Sequence, residues 1–172
     1  MRNEFLVPIE RDGERRPQFM TSAIMLAALL LLPLAARADA PPGCAGEAGK
    51  APLTVSVSGM RSDKGNITIT IYPDDASHFL DGAYKLARQM VPVTLPVTTA
   101  CFLLPAPGTY AVALFHDENN DHHLNTNALG IPTEGYGFSN NPTLYFGPPG
   151  LDKVRFALHP GDNPIAIRMK YY

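Results

Sequence analysis

LTVSVSGMRSDKGNITITIY, residues 53–72, decides the class of this chain. Leu53, Val55 and Val57 alternate with Thr54, Ser56 and Ser58. After the turn residues Arg61-Ser62-Asp63-Lys64-Gly65, Ile67, Ile69 and Ile71 alternate with Asn66, Thr68 and Thr70. A period of two gives each run one apolar face, as half-buried strands require. The matching faces and the short connection predict a hairpin.

Toward the C-terminus the pattern breaks and resumes. Pro73-Asp74-Asp75 ends the second run, Phe79 and Leu80 are expected to cover one end of the core, and Ala83–Met90 has the composition of about two helical turns. Val91, Val93, Leu95 and Val97 alternate again, with Pro92 and Pro96 on the other face. Proline cannot donate to a ladder, so an edge strand is expected there. Phe102 and Leu104 lead into a Pro105–Gly108 turn. Tyr110, Val112 and Leu114 then alternate with Ala111, Ala113 and Phe115, apolar or small on both faces, which predicts a central strand. Tyr110 follows a Pro-Gly corner by two positions, where sandwich folds bond a tyrosine hydroxyl back to the backbone. Val154, Phe156 and Leu158 read as a short strand, His159–Asn163 as a turn, and Ile165, Ile167, Met169 and Tyr171 as the last strand. About seven strands without a long amphipathic helix predict an all-β, antiparallel two-sheet β-sandwich, immunoglobulin-like or prealbumin-like, with long end loops. A closed barrel is the alternative.

Toward the N-terminus the composition changes. Arg2, Arg11, Arg15 and Arg16 precede the apolar run Ala23–Ala36, which ends in Ala36-Arg37-Ala38. A basic segment, a short apolar segment and a small-x-small exit make residues 1–38 a signal peptide, with Met20 an alternative start and an uncleaved anchor the competing reading. Residues 39–51, rich in Pro, Gly and Ala, read as a flexible lead, and residues 52–172 as one domain. The expected location is periplasmic or secreted.

From Asp39 onward there are nine Lys and Arg against twelve Asp and Glu, with no basic run, so nucleic acid is not an expected partner. The expected partner is a protein or a cell-envelope ligand. Cys44 and Cys101 are the two cysteines; in an exported chain an even count suggests a disulfide, and no C-x-x-C motif supports redox chemistry. Enzyme signatures are equally thin. Ser139 lacks a nucleophile-elbow context, Cys101 sits in an apolar run, and no spacing brings Glu118, Glu134 and Asp152 into a carboxylate pair.

The chemistry-bearing stretch is FHDENNDHHLNTN, residues 115–127. Asp117, Asn119 and Asp121 stand at positions one, three and five of a calcium-type loop. His123 would offer its carbonyl at seven, Asn125 its amide oxygen at nine, and Glu134 a closing carboxylate. Position twelve is Ala128, where a bidentate glutamate would stand, and position six is His122, where a glycine would. With two obligatory charges, affinity is expected in the weak range of about 10⁻⁴ to 10⁻³ M. Two other readings stay open: a solvated loop whose Asp and Asn side chains bond their own backbone, and a transition-metal site using His116, His122 and His123. His116 alone suits a strand-end ring bonded to a nearby carbonyl or carboxylate. Gly130–Asn141 is long for a structureless loop; it forms either a ligand groove with Phe146–Pro149 or a plug in which Tyr136 and Phe138 fill one end of the sandwich.

YAVALFHDENNDHHLNTNALGIPTEGYGFSNN, residues 110–141, with FGPP at 146–149, resembles the secreted bacterial family known as domain of unknown function 2141. The resemblance spans roughly residues 53–171 and implies an exported β-sandwich with no established activity. It also implies a glycine where His122 stands and an aspartate where Asn125 stands; the first change removes a permissive turn residue, the second a charge.

Overall fold

The computed structural model describes Cys44, Ala45 and residues 50–145 and 147–172, all within a compact unit that runs from Ala36 to Tyr172. The signal peptide expected at 1–38 and most of the lead lie outside the described residues. Strands β1 (Cys44–Ala45), β2 (Ala51–Ser58), β5 (Val97–Leu104) and β9 (Asn163–Arg168) form a 4-stranded sheet in the order β1-β5-β2-β9. Strands β3 (Asn66–Pro73), β4 (Ala87–Pro92), β6 (Gly108–Asp117) and β7 (Gly135–Phe138) form the larger sheet in the order β4-β3-β6-β7, and β8 (Phe156–Leu158) pairs with β6. Pairing is antiparallel except at β1–β5 and β2–β9.

Burial follows the alternation. Leu53, Val55 and Val57 from the smaller sheet and Ile67, Ile69, Ile71, Val112 and Leu114 from the larger share one apolar core with Phe102, Leu104 and Ile167. The predicted hairpin is nonetheless wrong: β2 pairs with β5 and β9, while β3 pairs with β4 and β6. The connection turns at Gly59 (φ 81°) and sends Met60 into the core, so the chain crosses from one sheet to the other. The two apolar faces match because they lie opposite one another across the sandwich, a relation that a period of two cannot distinguish from side-by-side pairing.

Other expectations hold or shift for local reasons. β6 is central, and the Tyr110 hydroxyl donates to the Ala106 carbonyl at 2.8 Å, the corner bond anticipated. The edge strand appears as β4, shifted to Ala87–Pro92, so the expected helix over Ala83–Met90 shrinks to a 3-10 turn at Gly82–Tyr84. Ladder pairing of Ala87–Val91 with β3 outweighs a helix propensity worth only tenths of a kcal/mol per residue. Val154 ends a short helical turn, Leu151–Val154, and precedes the β8 strand. β3 was expected to be half-buried; Thr68 and Thr70 are buried too, because its other face is also covered.

That other face carries a second apolar cluster of Tyr72, Ala111, Tyr136, Phe138, Leu151 and Val154, with Phe79 and Leu80 packed against it. Tyr136 and Phe138 therefore do not plug the sandwich; they belong to β7, a strand inside the segment read as a loop. Gly135 and Gly137 face the other way. A Cβ at Gly135 would come within 2.5 Å of the Tyr171 ring, and one at Gly137 within 2.8 Å of Ile167 Cγ2. These glycines let β7 close on the chain after β9, where Tyr136 and Lys170 exchange backbone hydrogen bonds of 2.9 and 2.8 Å and stitch the two sheets together at one corner. Cys44 and Cys101 form a disulfide between β1 and β5.

Candidate functional site

The polar loop begins where β6 ends. Asp117 is fully buried; its Oδ1 accepts the backbone N–H of Asp121 at 3.1 Å and its Oδ2 that of His122 at 2.9 Å. Glu134, also buried, accepts the N–H of Glu118 on Oε1 and that of Asn125 on Oε2, both at 3.0 Å. Two carboxylates thus satisfy four backbone donors and hold both ends of the loop, the capping logic of a helix N-terminus applied to a bend. Above them, Asn119 Nδ2 donates to Asp121 Oδ2 and to Asn125 Oδ1 at 3.0 Å each, and Asn125 Nδ2 donates to Asp121 Oδ2 at 2.8 Å. Bonds from Asn125, the His123 backbone and Asn119 hold the Asp121 carboxyl below its usual range.

Of the residues expected to gather, Asn119, Asp121 and Asn125 meet in one cluster over Asp117. Glu134 sits at the base as an anchor, and His123 joins through its backbone N–H, which donates to Asp121 Oδ1 at 2.9 Å. His122 adopts the left-handed conformation (φ 69°) that its place at the glycine position demands, at a cost of about 1 kcal/mol. Among the described residues no group of three or more His, Cys, Asp and Glu is arranged to hold a metal ion. Asn119 Oδ1 also accepts the Asp121 N–H at 3.1 Å, so the two amides close the cluster by hydrogen bonds around the single charge of Asp121.

The histidines are not gathered. The buried His116 ring bonds the Lys64 carbonyl through Nε2 and the Tyr171 hydroxyl through Nδ1, both at 2.7 Å. The carbonyl requires a proton on Nε2, so in the neutral ring the Tyr171 hydroxyl donates to Nδ1 while accepting the Arg61 N–H at 3.1 Å. Both ring nitrogens are spent on tying the 61–65 turn to the C-terminal segment. Ser139 is likewise structural: its hydroxyl bonds the Val154 carbonyl and accepts the Val112 N–H at 3.0 Å.

Beyond Asn125 the chain forms a small arm. Thr126 bridges Pro132, Asn127 N donates to Ile131 O at 2.9 Å, and Asn127 Oδ1 accepts the N–H groups of Leu129 and Ile131. The arm projects Leu124, Leu129 and Ile131, with Leu129 83% exposed. Together with Leu144 and Tyr145 it walls a groove of about 670 Å³ over the outer face of the larger sheet. The floor is Thr70 and Tyr72 of β3, Ala113 and Phe115 of β6, and Tyr136 and Phe138 of β7. Small residues at Thr70 and Ala113 between large rings make a trough. Tyr136 lies 5.5 Å from the Tyr172 ring, and burial followed by the Tyr172 hydrogen bond pushes its hydroxyl pKa up. The polar loop thus leads into the segment that forms one apolar wall of the groove.

Residues 55–166 match the family described as "Uncharacterized protein conserved in bacteria (DUF2141)". The chain belongs to that family. The DUF2141 match begins inside β2 and ends inside β9, so it takes in the larger sheet, β5 of the smaller one, the polar loop and every groove-lining residue but Tyr172, and leaves out β1. No curated protein and no solved structure matches the chain.

One ion pair braces this DUF2141 site and contributes to its acid response. Arg61 clasps Glu118 through Nε and Nη2 and reaches the Thr133 carbonyl at 3.1 Å, while Ser62 Oγ donates to Glu118 Oε1 at 2.7 Å. Arg61 first and Ser62 after it lower the Glu118 carboxyl from 4.5 to about 2. A depressed folded pKa stabilises the fold fully above about pH 4.5, and that contribution is lost as pH falls toward about 2. Because Arg61 is 47% exposed, the screened contribution is about 1 kcal/mol. Urea unfolding at stepwise pH should show a loss of that size across this window, and Glu118→Gln should flatten it. An unchanged slope in the variant would remove Glu118 from the acid response.

Proposed function

We propose that this DUF2141 protein is an exported, non-catalytic binding module that takes an apolar envelope ligand in the groove beside the polar loop. The groove itself carries the reading. Its volume falls within the roughly 300–1,000 Å³ range of small-molecule sites, its lining is aromatic and aliphatic, and one wall is a projecting arm. Export is supported by the leader pattern of residues 1–38 and is consistent with the disulfide; among the described residues no helix is long and apolar enough to cross a membrane.

Within this reading the 116–127 loop takes a calcium-type ion on Asn119, Asp121 and Asn125, with Asp117, Glu134 and the His123 carbonyl as outer support. Support comes from the meeting of the first three side chains, and the low charge keeps the expected affinity near 10⁻⁴ to 10⁻³ M. A bound ion would stiffen the base of the arm and so tighten the groove.

The uncharged probe N-phenyl-1-naphthylamine tests the groove. Protein purified after export should give a saturable fluorescence rise, and Ile131→Asp, a change on the exposed arm, should weaken it at least tenfold. No saturable rise, or a rise indifferent to Ile131→Asp, overturns the groove reading. Calcium titrated calorimetrically into chelator-treated protein should release a saturable heat that Asp121→Asn removes; no heat at millimolar calcium leaves the loop as a purely backbone-bonded bend.

A further inference from the structure

The groove is apolar in all but one respect. Arg88, on the β4 edge, supplies the single charge among the lining residues, and no carboxylate lines the groove with it. Its Nε donates to Thr70 Oγ1 at 2.9 Å, and among the described residues no carboxylate lies within ion-pair distance of its guanidinium. Arg88 is exposed at the rim of the apolar trough, with its charge beside the Tyr72 hydroxyl, so its guanidinium is open to a ligand that enters from solvent. The fork of a guanidinium matches a carboxylate in two parallel hydrogen bonds.

Register places this cation at one end of a row. Arg88 pairs with Thr70, Thr70 with Ala113, and Ala113 with Phe138, so successive strands run from charge through a hydroxyl and a methyl to an aromatic ring. At the usual strand spacing the row from β4 to β7 is about 14 Å long. One end is cationic and the remainder is greasy.

Resting on the groove reading, we propose that the ligand class is a long-chain fatty acid, its carboxylate on Arg88 and its chain along Thr70, Ala113 and Phe138 beneath the arm. A neutral lipid would leave the guanidinium to water and forgo the two-point charge pair, and an apolar peptide would bring backbone donors and acceptors that this lining has few groups to satisfy.

The test compares laurate with dodecanol, equal in chain and different in charge, as displacers of N-phenyl-1-naphthylamine. Laurate should displace at roughly one tenth of the dodecanol concentration or less, the ratio expected of a hydrogen-bonded charge pair, and the advantage should shrink as salt rises. In Arg88→Gln the laurate-to-dodecanol ratio should approach one; because it is read within a single variant, any change in the apolar contribution cancels. A ratio near one in the unaltered protein, or one that survives Arg88→Gln, overturns the fatty-acid assignment while saturable naphthylamine binding keeps the groove reading standing. If naphthylamine itself does not bind, both fall.

Discussion

Gly65→Ala should cost about 4 kcal/mol or more, enough to abolish most of the stability of an ordinary domain. Gly65 sits at φ 67°, and a Cβ there would lie 1.9 Å from the Asp117 carbonyl oxygen and 2.8 Å from Glu118 Cα. Those atoms are backbone, at the point where β6 ends and the loop begins, so no side-chain rotation can relieve the overlap. Either the 61–65 turn lifts away or the end of β6 moves. Lifting the turn breaks the His116 bond to the Lys64 carbonyl; moving β6 disturbs the buried Asp117 carboxylate that holds Asp121 and His122. Urea denaturation followed by tyrosine fluorescence and far-ultraviolet dichroism should show little folded protein or a much lowered midpoint. A midpoint near that of the parent would show that the 61–65 turn gives way at little cost.

Removal of the disulfide should come second in size. Cys44 and Cys101 stand 57 residues apart in sequence, and the chain-entropy treatment gives about 4 kcal/mol for a loop of that length. The expected structural effect is local. β1 has two residues and pairs only with β5, so a Cys44→Ser, Cys101→Ser double variant should release the N-terminal segment while the shared core of β2, β5 and β9 stays paired. Paired urea titrations of the double variant and of parent protein under reducing conditions should agree. A loss below about 1 kcal/mol would show that the unfolded chain is already compact across this loop.

The alternation of apolar residues made most strands legible, because burial on one face leaves a direct trace in composition. It could not tell which strands pair. Leu53–Val57 and Ile67–Ile71 have matching faces because they meet across a core, and only the inward Met60 in their connection hinted at a crossing. β7 escaped notice because its inward positions are Gly135 and Gly137, chosen for close approach, which leave no apolar signal. The oxygen-rich loop was visible as chemistry. The reading in which Asp and Asn side chains bond their own backbone matches Asp117 on the Asp121 and His122 N–H groups and Asp121 on that of His123. What stayed hidden was the burial of Asp117 and the second anchor, Glu134, on the N–H groups of Glu118 and Asn125. The groove was legible in its wall and not in its floor. Gly130–Asn141 with Phe146–Pro149 reads as one side of a ligand groove, and Gly130, Ile131, Gly147 and Pro148 do line it, whereas Arg88, Thr70, Ala113 and Phe138 become neighbours only through ladders between four strands.

The parallel match of β2 with β9 sets a timetable as well as a topology. Leu53–Ser58 cannot be flanked on that side until Asn163–Arg168 has been synthesised, more than a hundred residues later. Contacts so distant along the chain slow folding, since the intervening loop must be ordered before they are gained. Until Asn163–Arg168 has been made, one side of β2 has backbone donors and acceptors with no strand to receive them, an open edge that the completed sheet removes.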